Sequence, residues 1–223
     1  MVSAIVVENT WTLAAVGAIA YLAGSVPLGF LLAQARGVDV RRLGSGNVGT
    51  SNIYRNVDTG LATVVGPLQF CQGLLPVLGA RALKFDDGAL VLVALCAVIG
   101  NGWPIWLGFN GGRGIAVATG AVAALSPWAL IALLVCFALG ALLHEIAEGV
   151  LGGFLLLPLV AATVAGAAIA AGCVGLLMLV LLRRLEGVTH DVRRYGHPWR
   201  VVARRLVRDE RPGRPLVGRR TDA

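Results

Sequence analysis

YLAGSVPLGFLLAQARGVDVRRLGSGNVGTSNIYR, residues 21–55, begins as hydrocarbon and ends as a loop crowded with hydrogen-bonding groups. Its first third closes an apolar block that runs from about Trp11 to Ala35. A bilayer-spanning helix needs about 20 such residues, so the block is long enough to cross. The segment from Arg36 to Asp58 then carries four Arg and two Asp among glycines, small hydroxyls and asparagines. Composition extends this reading to the whole chain: 57% of the residues are hydrophobic, only 14% are charged, and the mean hydropathy is +0.79. A soluble domain carries about 25% charged residues, so an ordinary water-exposed surface cannot be built. The chain reads as an all-α, polytopic integral membrane protein, with no solenoid repeat, low-complexity tract or soluble domain.

Four more apolar blocks follow, at about 61–83, 89–108, 115–143 and 150–182. The fourth of the five blocks, Ile115 to Leu143, would be about 43 Å long as one helix, more than the roughly 30 Å hydrocarbon core. A break at Ser126-Pro127 is expected to divide it into a short helix and a longer one. The block from Val150 to Leu182, with Pro158 and scattered Gly, also suits two helices. The count is therefore about seven spans, with five as the alternative. With no basic residue before it, the first block is expected to stay in place rather than be cleaved as a signal peptide.

Both counts are odd, which puts the two ends of the chain on opposite sides. The net charge of +7 is all in the tail: residues 183–223 hold twelve Arg against five acids, whereas 1–182 hold seven basic and seven acidic residues. The chain thus divides into a membrane domain, 1–182, and a basic tail, 183–223. The positive-inside rule places the tail and the 36–58 loop in the cytoplasm and the N-terminus outside. The tail would lie near anionic headgroups of membrane lipids. Nucleic acid is not expected as a partner, since only Tyr195 and Trp199 interleave the tail's charges. Cys71, Cys96, Cys136 and Cys173 lie singly in apolar blocks, with no metal-ligand spacing. No metal or cofactor is implied.

In the 43–55 stretch, Gly44, Gly46 and Gly49 allow positive φ and close backbone approach. Consecutive N–H groups in such a loop can form an anion-binding nest. Ser45, Asn47, Thr50, Ser51 and Asn52 add neutral donors, and Arg55 adds a planar cation suited to phosphate. The same composition also makes ordinary interhelical turns; Arg55 and the preceding Arg41-Arg42 favour the anion site. A second glycine-rich turn, Gly111-Gly112-Arg113-Gly114, opens an apolar helix whose N-terminal donors favour a phosphate. The topology above brings both to one membrane face.

The two blocks together resemble a known family. Residues 21–55 resemble the first signature of the bacterial acyl-phosphate-dependent glycerol-3-phosphate acyltransferases, and GNGWPIWLGFNGGRGIAVATG resembles their second. The resemblance implies a seven-helix membrane enzyme with its site at the cytoplasmic face of the bacterial inner membrane. It would move an acyl group from acyl phosphate to glycerol 3-phosphate, giving 1-acylglycerol 3-phosphate for phospholipid synthesis. It also implies that Ser45, Gly46, Asn47, Asn52 and Arg55, with Gly111, Gly112, Arg113 and Gly114, bind the substrate phosphates.

The departures are specific. The family's DxxKG is QFCQG here, with Gln69 and Gln72 in place of both charges. The histidine of GHxxP is Asn101, the lysine of GGKG is Arg113, and the threonine of GGKGVAT is Val117. An arginine- and serine-bearing segment expected near residue 144 is HEIAEGVLGG. The third signature, HxxNxxRLLxGxE, survives only as RRLEG. Its histidine and asparagine fall at Leu177 and Val180, while Arg183 keeps its arginine. The catalytic group, if the family histidines supply one, is thus unassigned. A non-catalytic offshoot binding a phosphorylated lipid or glycerol phosphate is the alternative. A transporter is disfavoured, because no block carries intramembrane charges that mark an ion path.

Several residues have plainer roles. His144, His190 and His197 align with neither family histidine and read as surface groups. Glu145 and Glu148 read as headgroup-level residues, and Trp103, Trp106 and Trp128 as interfacial belt residues. Gln69, Gln72 and Asn101 are either interhelical hydrogen-bonding groups or a remnant of the site.

Overall fold

The computed structural model describes residues 2–195 and 197–208; the end of the basic tail, 209–223, lies outside the described residues. Everything described is helix or connection. Helix α1 (Val2–Ser25) stops at Pro27, whose ring fixes φ and supplies no N–H, and α2 (Leu28–Gln34) resumes in the same direction. The carbonyls freed at that break are taken by another helix: Gln72 Nε2 donates to Ala23 O at 2.7 Å and to Val26 O at 2.8 Å. Gln72 is therefore an interhelical hydrogen-bonding group.

After a 3-10 turn at Val40–Arg42 come α3 (Thr50–Asn56), α4 (Thr59–Ala82) and α5 (Asp87–Gly102). Aspartates cap the last two, Asp58 accepting from Leu61 N at 2.5 Å and Asp86 from Ala89 N at 2.8 Å. Helix α6 (Ile115–Leu125) and α7 (Pro127–Leu142) are separated at extended Ser126, as Pro127 requires. Helix α8 (Ile146–Val164) and α9 (Ala167–Leu185) divide the last apolar block. The break falls at Gly166, with φ +90°, and Pro158 stays inside α8. Helices α10 (Val188–Tyr195) and α11 (Pro198–Ala203) and a wide turn at Arg204–Arg208 complete the described chain.

Five stretches are long and apolar enough to cross a membrane: Thr10–Gln34, Thr59–Ala82, Asp87–Leu107, Ile146–Val164 and Ala167–Leu185. Helices α6 and α7 are apolar but shorter. Large apolar side chains face outward along the bundle, Leu142 and Leu143 being 76% and 72% exposed. An aqueous protein does not leave so many uncovered. This is a multi-pass membrane bundle.

Helix α6 sits at its centre, packed on α4, α5, α7 and α9. Glycines let it approach so closely: a Cβ on Gly120 would come within 1.9 Å of Phe70 O, and one on Gly73 within 1.9 Å of Val117 O. Small residues at such crossings are how helices associate in lipid, where burying apolar surface brings no gain. Arg81, in the last turn of α4, donates to Ala124 O at 2.9 Å and Leu125 O at 3.2 Å. It thereby satisfies orphan carbonyls at the negative end of α6.

Cross-helix bonds show which loops share an end. Tyr21 Oη donates to Trp103 O at 2.9 Å, Thr50 Oγ1 to Gln69 Oε1 at 2.9 Å, and Arg184 Nη2 to Ala147 O at 3.1 Å. One end of the bundle therefore gathers residues 36–58, 103–114, 143–145 and the described residues beyond Leu185. Trp128 and Trp106, 67% and 64% exposed, stand at opposite ends, as belt residues do.

Candidate functional site

Asn52 organises the 43–49 loop from inside. Its side chain is buried and its Nδ2 donates to Val40 O, Leu43 O and Asn47 O at 3.1, 3.1 and 2.8 Å. Its Oδ1 accepts from Ser45 N at 3.2 Å and Asn56 Nδ2 at 2.9 Å. Gly44 must be glycine to let this happen, since a Cβ there would lie 2.6 Å from Asn52 Oδ1 and 2.2 Å from Asn56 Nδ2.

The expected nest of free N–H groups is not formed. Gly46 N bonds Leu43 O at 2.8 Å, Asn47 N bonds Ser45 Oγ at 3.4 Å, and Gly49 N bonds Asn47 Oδ1 at 3.2 Å. The polar side chains close turns on their own backbone, the commonest habit of Asn and Ser in loops. The last of these bonds has a consequence. With its oxygen taken, Asn47 presents Nδ2, which meets no acceptor among the described residues.

The glycine turn behaves alike. Gly111 N bonds Gly102 O at 3.1 Å and Gly112 N bonds Asn101 O at 2.9 Å, so both cap the C-terminal end of α5. Arg183 then donates to the turn's carbonyls, from Nε to Gly112 O at 2.9 Å and from Nη2 to Gly111 O at 2.8 Å. Its guanidinium lies 5.2 Å from the centre of the Trp103 ring and is paired with Glu186. Gly114 (φ +73°) turns the chain into α6, whose first N–H groups open the site.

Loop and turn enclose a polar cavity of about 280 Å³ lined by Arg41, Gly46, Asn47, Leu107, Asn110, Gly111, Arg113 and Arg183. Three arginines around so small a space have the chemistry to hold an anion. Arg41 is itself ion-paired with Asp39 at 2.9 Å and stacked 4.5 Å above Phe30. That guanidinium holds the Asp39 carboxyl below its ordinary value, and the Asp39 carboxylate in turn raises the pKa of Arg41.

Asn47 and Arg113 are shared with a second, larger cavity of about 500 Å³. Its walls are mostly apolar: Phe70 from α4, Ile115 and Ala116 from α6, Phe137 from α7, Ile146 and Val150 from α8. Three amides face it, Asn47, Gln69 and Asn101, the last two only 3% and 6% exposed. Thr50 Oγ1 donates to Gln69 Oε1, which turns the Gln69 NH₂ away from α3. The amide nitrogens of Gln69 and Asn101 meet no acceptor among the described residues. So Gln69, which sequence left between two roles, fills both: it ties α4 to α3 and lines the cavity.

Other expected site residues lie elsewhere. Arg55 is exposed and lines a third cavity of about 280 Å³ with Thr50, Ser51, Tyr54, Ala62, Thr63 and Ile146. Ser45 lines none of the three. Leu177 and Val180 are packed in the main apolar core, 8% and 0% exposed, and line none of them either. Phe137, Ile146 and Val150 carried no signal in sequence, because an apolar residue in an apolar helix does not announce which way it faces. Asn110 was equally silent.

Known proteins resemble this chain in sequence and fold. Residues 14–190 match the sequence profile of the glycerol-3-phosphate acyltransferase family. A glycerol-3-phosphate acyltransferase of Geobacter sulfurreducens is 45% identical over 122 residues, 54% of this chain and 62% of the relative. The Rubrobacter xylanophilus relative is 47% identical over 48% of this chain and 54% of its own. The matched region thus spans little more than half the length of these two relatives. Glycerol-3-phosphate acyltransferase 5 of Dehalococcoides mccartyi is 36% identical over 79% of this chain and 78% of its own. Among solved structures, an integral membrane glycerol 3-phosphate acyltransferase in its glycerol 3-phosphate form superposes with a TM-score of 0.73. It is 26% identical, over 83% of this chain and 94% of that one. With the profile covering both glycine-rich segments and all seven apolar helices down to the start of α10, the chain belongs to the glycerol-3-phosphate acyltransferase family.

Proposed function

We propose that the protein transfers an acyl group from acyl phosphate to glycerol 3-phosphate, giving 1-acylglycerol 3-phosphate at the cytoplasmic face of a bacterial inner membrane. The observation that carries this is the pair of joined cavities. A cationic cavity suited to phosphate meets an apolar one suited to an acyl chain, and Asn47 and Arg113 stand at the junction. The similar solved structures include glycerol 3-phosphate and lysophosphatidic acid forms. In the reaction a glycerol 3-phosphate hydroxyl forms a new C–O bond to the acyl carbonyl carbon. The bond from that carbon to the phosphate oxygen breaks, and the hydroxyl proton passes to the departing phosphate, which leaves as hydrogen phosphate. Arg41, Arg113 and Arg183 would hold phosphate; the Asn47, Gln69 and Asn101 amides are placed to donate to the carbonyl oxygen as charge develops there. Ser45, Gly46 and Asn52 shape the loop, and Gly111, Gly112 and Gly114 the turn. Arg55 would bind phosphate from the third cavity, beside Thr50 and Ser51. The reaction uses no metal or cofactor.

We propose seven crossings, with α6 and α7 counted, an outside N-terminus and an inside C-terminus. The end that gathers the site also carries Arg36, Arg41, Arg42, Arg55 and the described arginines between 183 and 205, whereas the other balances Arg81 and Lys84 against Asp86 and Asp87. The tail from 183 is then cytoplasmic. The second reading, a binder without turnover, is favoured by apolar Leu177 and Val180 where the family has polar groups. Purified protein given palmitoyl phosphate and labelled glycerol 3-phosphate separates the two. Labelled lysophosphatidate supports the enzyme; saturable glycerol 3-phosphate binding with no product supports the binder.

A further inference from the structure

The chain continues past the last residue that matches the family, 190, and the structure folds the described part of that continuation, which ends at 208, onto the bundle. Two buried arginines fasten it. Arg205, 4% exposed, donates through Nε to Asp191 Oδ2 at 2.9 Å and also bonds the carbonyls of Glu186 and Gly187 beyond α9. Arg184, 2% exposed, bridges Ala147 O at the start of α8 and Leu206 O in the continuation. Val201, 4% exposed, supplies an apolar anchor.

This docking decides what is left outside. Asp191 is the only carboxylate between 188 and 208, and Arg205 takes it inside. Arg193, Arg200 and Arg204 remain exposed, and none is paired with a carboxylate among the described residues. Trp199 stands among them 68% exposed, with the Arg200 guanidinium 5.3 Å from its ring centre. Val207 is 40% exposed nearby in the chain. Arg184 sets this surface beside the α7–α8 turn, where Leu142 and Leu143 already face outward as lipid-contacting groups do. A tryptophan flanked by unpaired arginines at the edge of an apolar band has the chemistry of a membrane interface: a ring at headgroup level and cations for lipid phosphates.

We infer that residues 188–208 form a docked shoulder that binds anionic phospholipid headgroups of the surrounding bilayer, with Trp199 in the interface and Arg193, Arg200 and Arg204 on the phosphates. This uses the membrane placement of the bundle and is independent of acyl transfer, so it stands or falls without an activity assay.

The test uses the full chain in nanodiscs of phosphatidylcholine, alone or with phosphatidylglycerol, one of the two lipids carrying brominated chains. The quantity is the fluorescence quenching lost in Trp199→Phe, which isolates Trp199 from the other tryptophans. Quenching at Trp199 should be stronger when phosphatidylglycerol is the brominated lipid. The R193Q/R200Q/R204Q protein should lose that preference, by about five-fold per arginine at low salt. These are exposed positions, so an unchanged melting temperature will show that the fold is intact. No quenching assigned to Trp199, or equal quenching by both lipids, overturns the inference. Arginine-dependent binding of a labelled oligonucleotide with Trp199 unquenched would overturn it in favour of a nucleic-acid surface.

Discussion

Replacing Arg183 by lysine keeps the charge at the cationic cavity and removes the fork. In the structure that fork holds both carbonyls of the glycine turn, at 2.9 and 2.8 Å, with the guanidinium stacked near Trp103. Hydrogen bonds from charged donors contribute about 1.5–3 kcal/mol each, and a cation over an aromatic face adds about 0.5–1 kcal/mol at partly exposed sites. A lysine ammonium reaches one carbonyl and stacks poorly, so about 2–4 kcal/mol of the contacts fixing the turn would go. Part of this returns as water or a shifted backbone fills the gap. A 10- to 100-fold loss in glycerol 3-phosphate affinity, about 1.4–2.8 kcal/mol, is the expected net effect.

The assay is calorimetric titration of purified protein with glycerol 3-phosphate, run beside a thermal melt. Arg183→Gln, lacking both charge and fork, should bind more weakly still. If Arg183 acts only through its charge, Arg183→Lys will bind and melt like the wild type while Arg183→Gln does not. That pattern would refute the positioning role and with it the account of how the turn is held.

Gly120→Ala should destabilise the bundle by about 1–3 kcal/mol, because its Cβ would meet the Phe70 carbonyl at 1.9 Å. Gly79→Ala, where a Cβ meets nothing within 4 Å, should be neutral or stabilising in the same thermal melt. Asp58 caps α4 through Leu61 N and pairs with Arg36 at 2.7 Å, and these contacts hold its carboxyl below the ordinary aspartate value. Its stabilising contribution is therefore complete above the unfolded pKa of about 3.9 and is lost as pH falls through the lower folded value. The melting difference between wild type and Asp58→Ala should accordingly be constant above about pH 5 and vanish in acid; a difference that grows in acid would reverse the sign. Leu177→His with Val180→Asn restores the family's residues by name but places them in the apolar core, where an unsatisfied polar group costs about 1–3 kcal/mol. Lower stability with no gain in turnover is expected, and a rise in turnover would show that α9 turns those positions toward the substrates.

The membrane class, the break at Pro127 and the meeting of the two glycine-rich segments were legible because each rests on a local rule: apolar length, a missing N–H, charge asymmetry. The break near Gly166 was blurred because Pro158 is the louder signal, yet a proline inside a membrane helix is tolerated where neighbours cover the freed carbonyl. The loop's chemistry was only half legible. Glycine, serine and asparagine mark a tight polar loop, but not whether its N–H groups face a ligand or each other, and here Asn52 draws them inward. Arg55 shows the same limit. A helix of seven residues places it about a turn beyond Ser51, and the direction of α3, set by Asn52 below and Gln69 behind, sends it to a separate cavity.

The described residues that line the three cavities include no Asp, Glu, His, Lys or Cys. Among these described lining residues, then, no carboxylate, imidazole, amine or thiol stands ready to take the proton of an attacking hydroxyl. A positioned acid or base contributes about 10²–10⁴-fold in enzymes that have one; a donor aimed at developing charge contributes about 2.7–4 kcal/mol, which is of similar size. The proposed reaction would draw on the second effect. Arginines surround the phosphate space, and amides locked by Thr50 and by the Gly49 N–H face the junction where a carbonyl oxygen would gain charge. Acyl phosphate suits such a site, because its leaving group is already good and departs as an anion into guanidinium-lined space. Neutral amides in the apolar cavity also avoid the desolvation that Asp or Lys would suffer beside an acyl chain. The substitutions at 69 and 101 thus fit a site that works by holding charge in place rather than by moving protons through side chains.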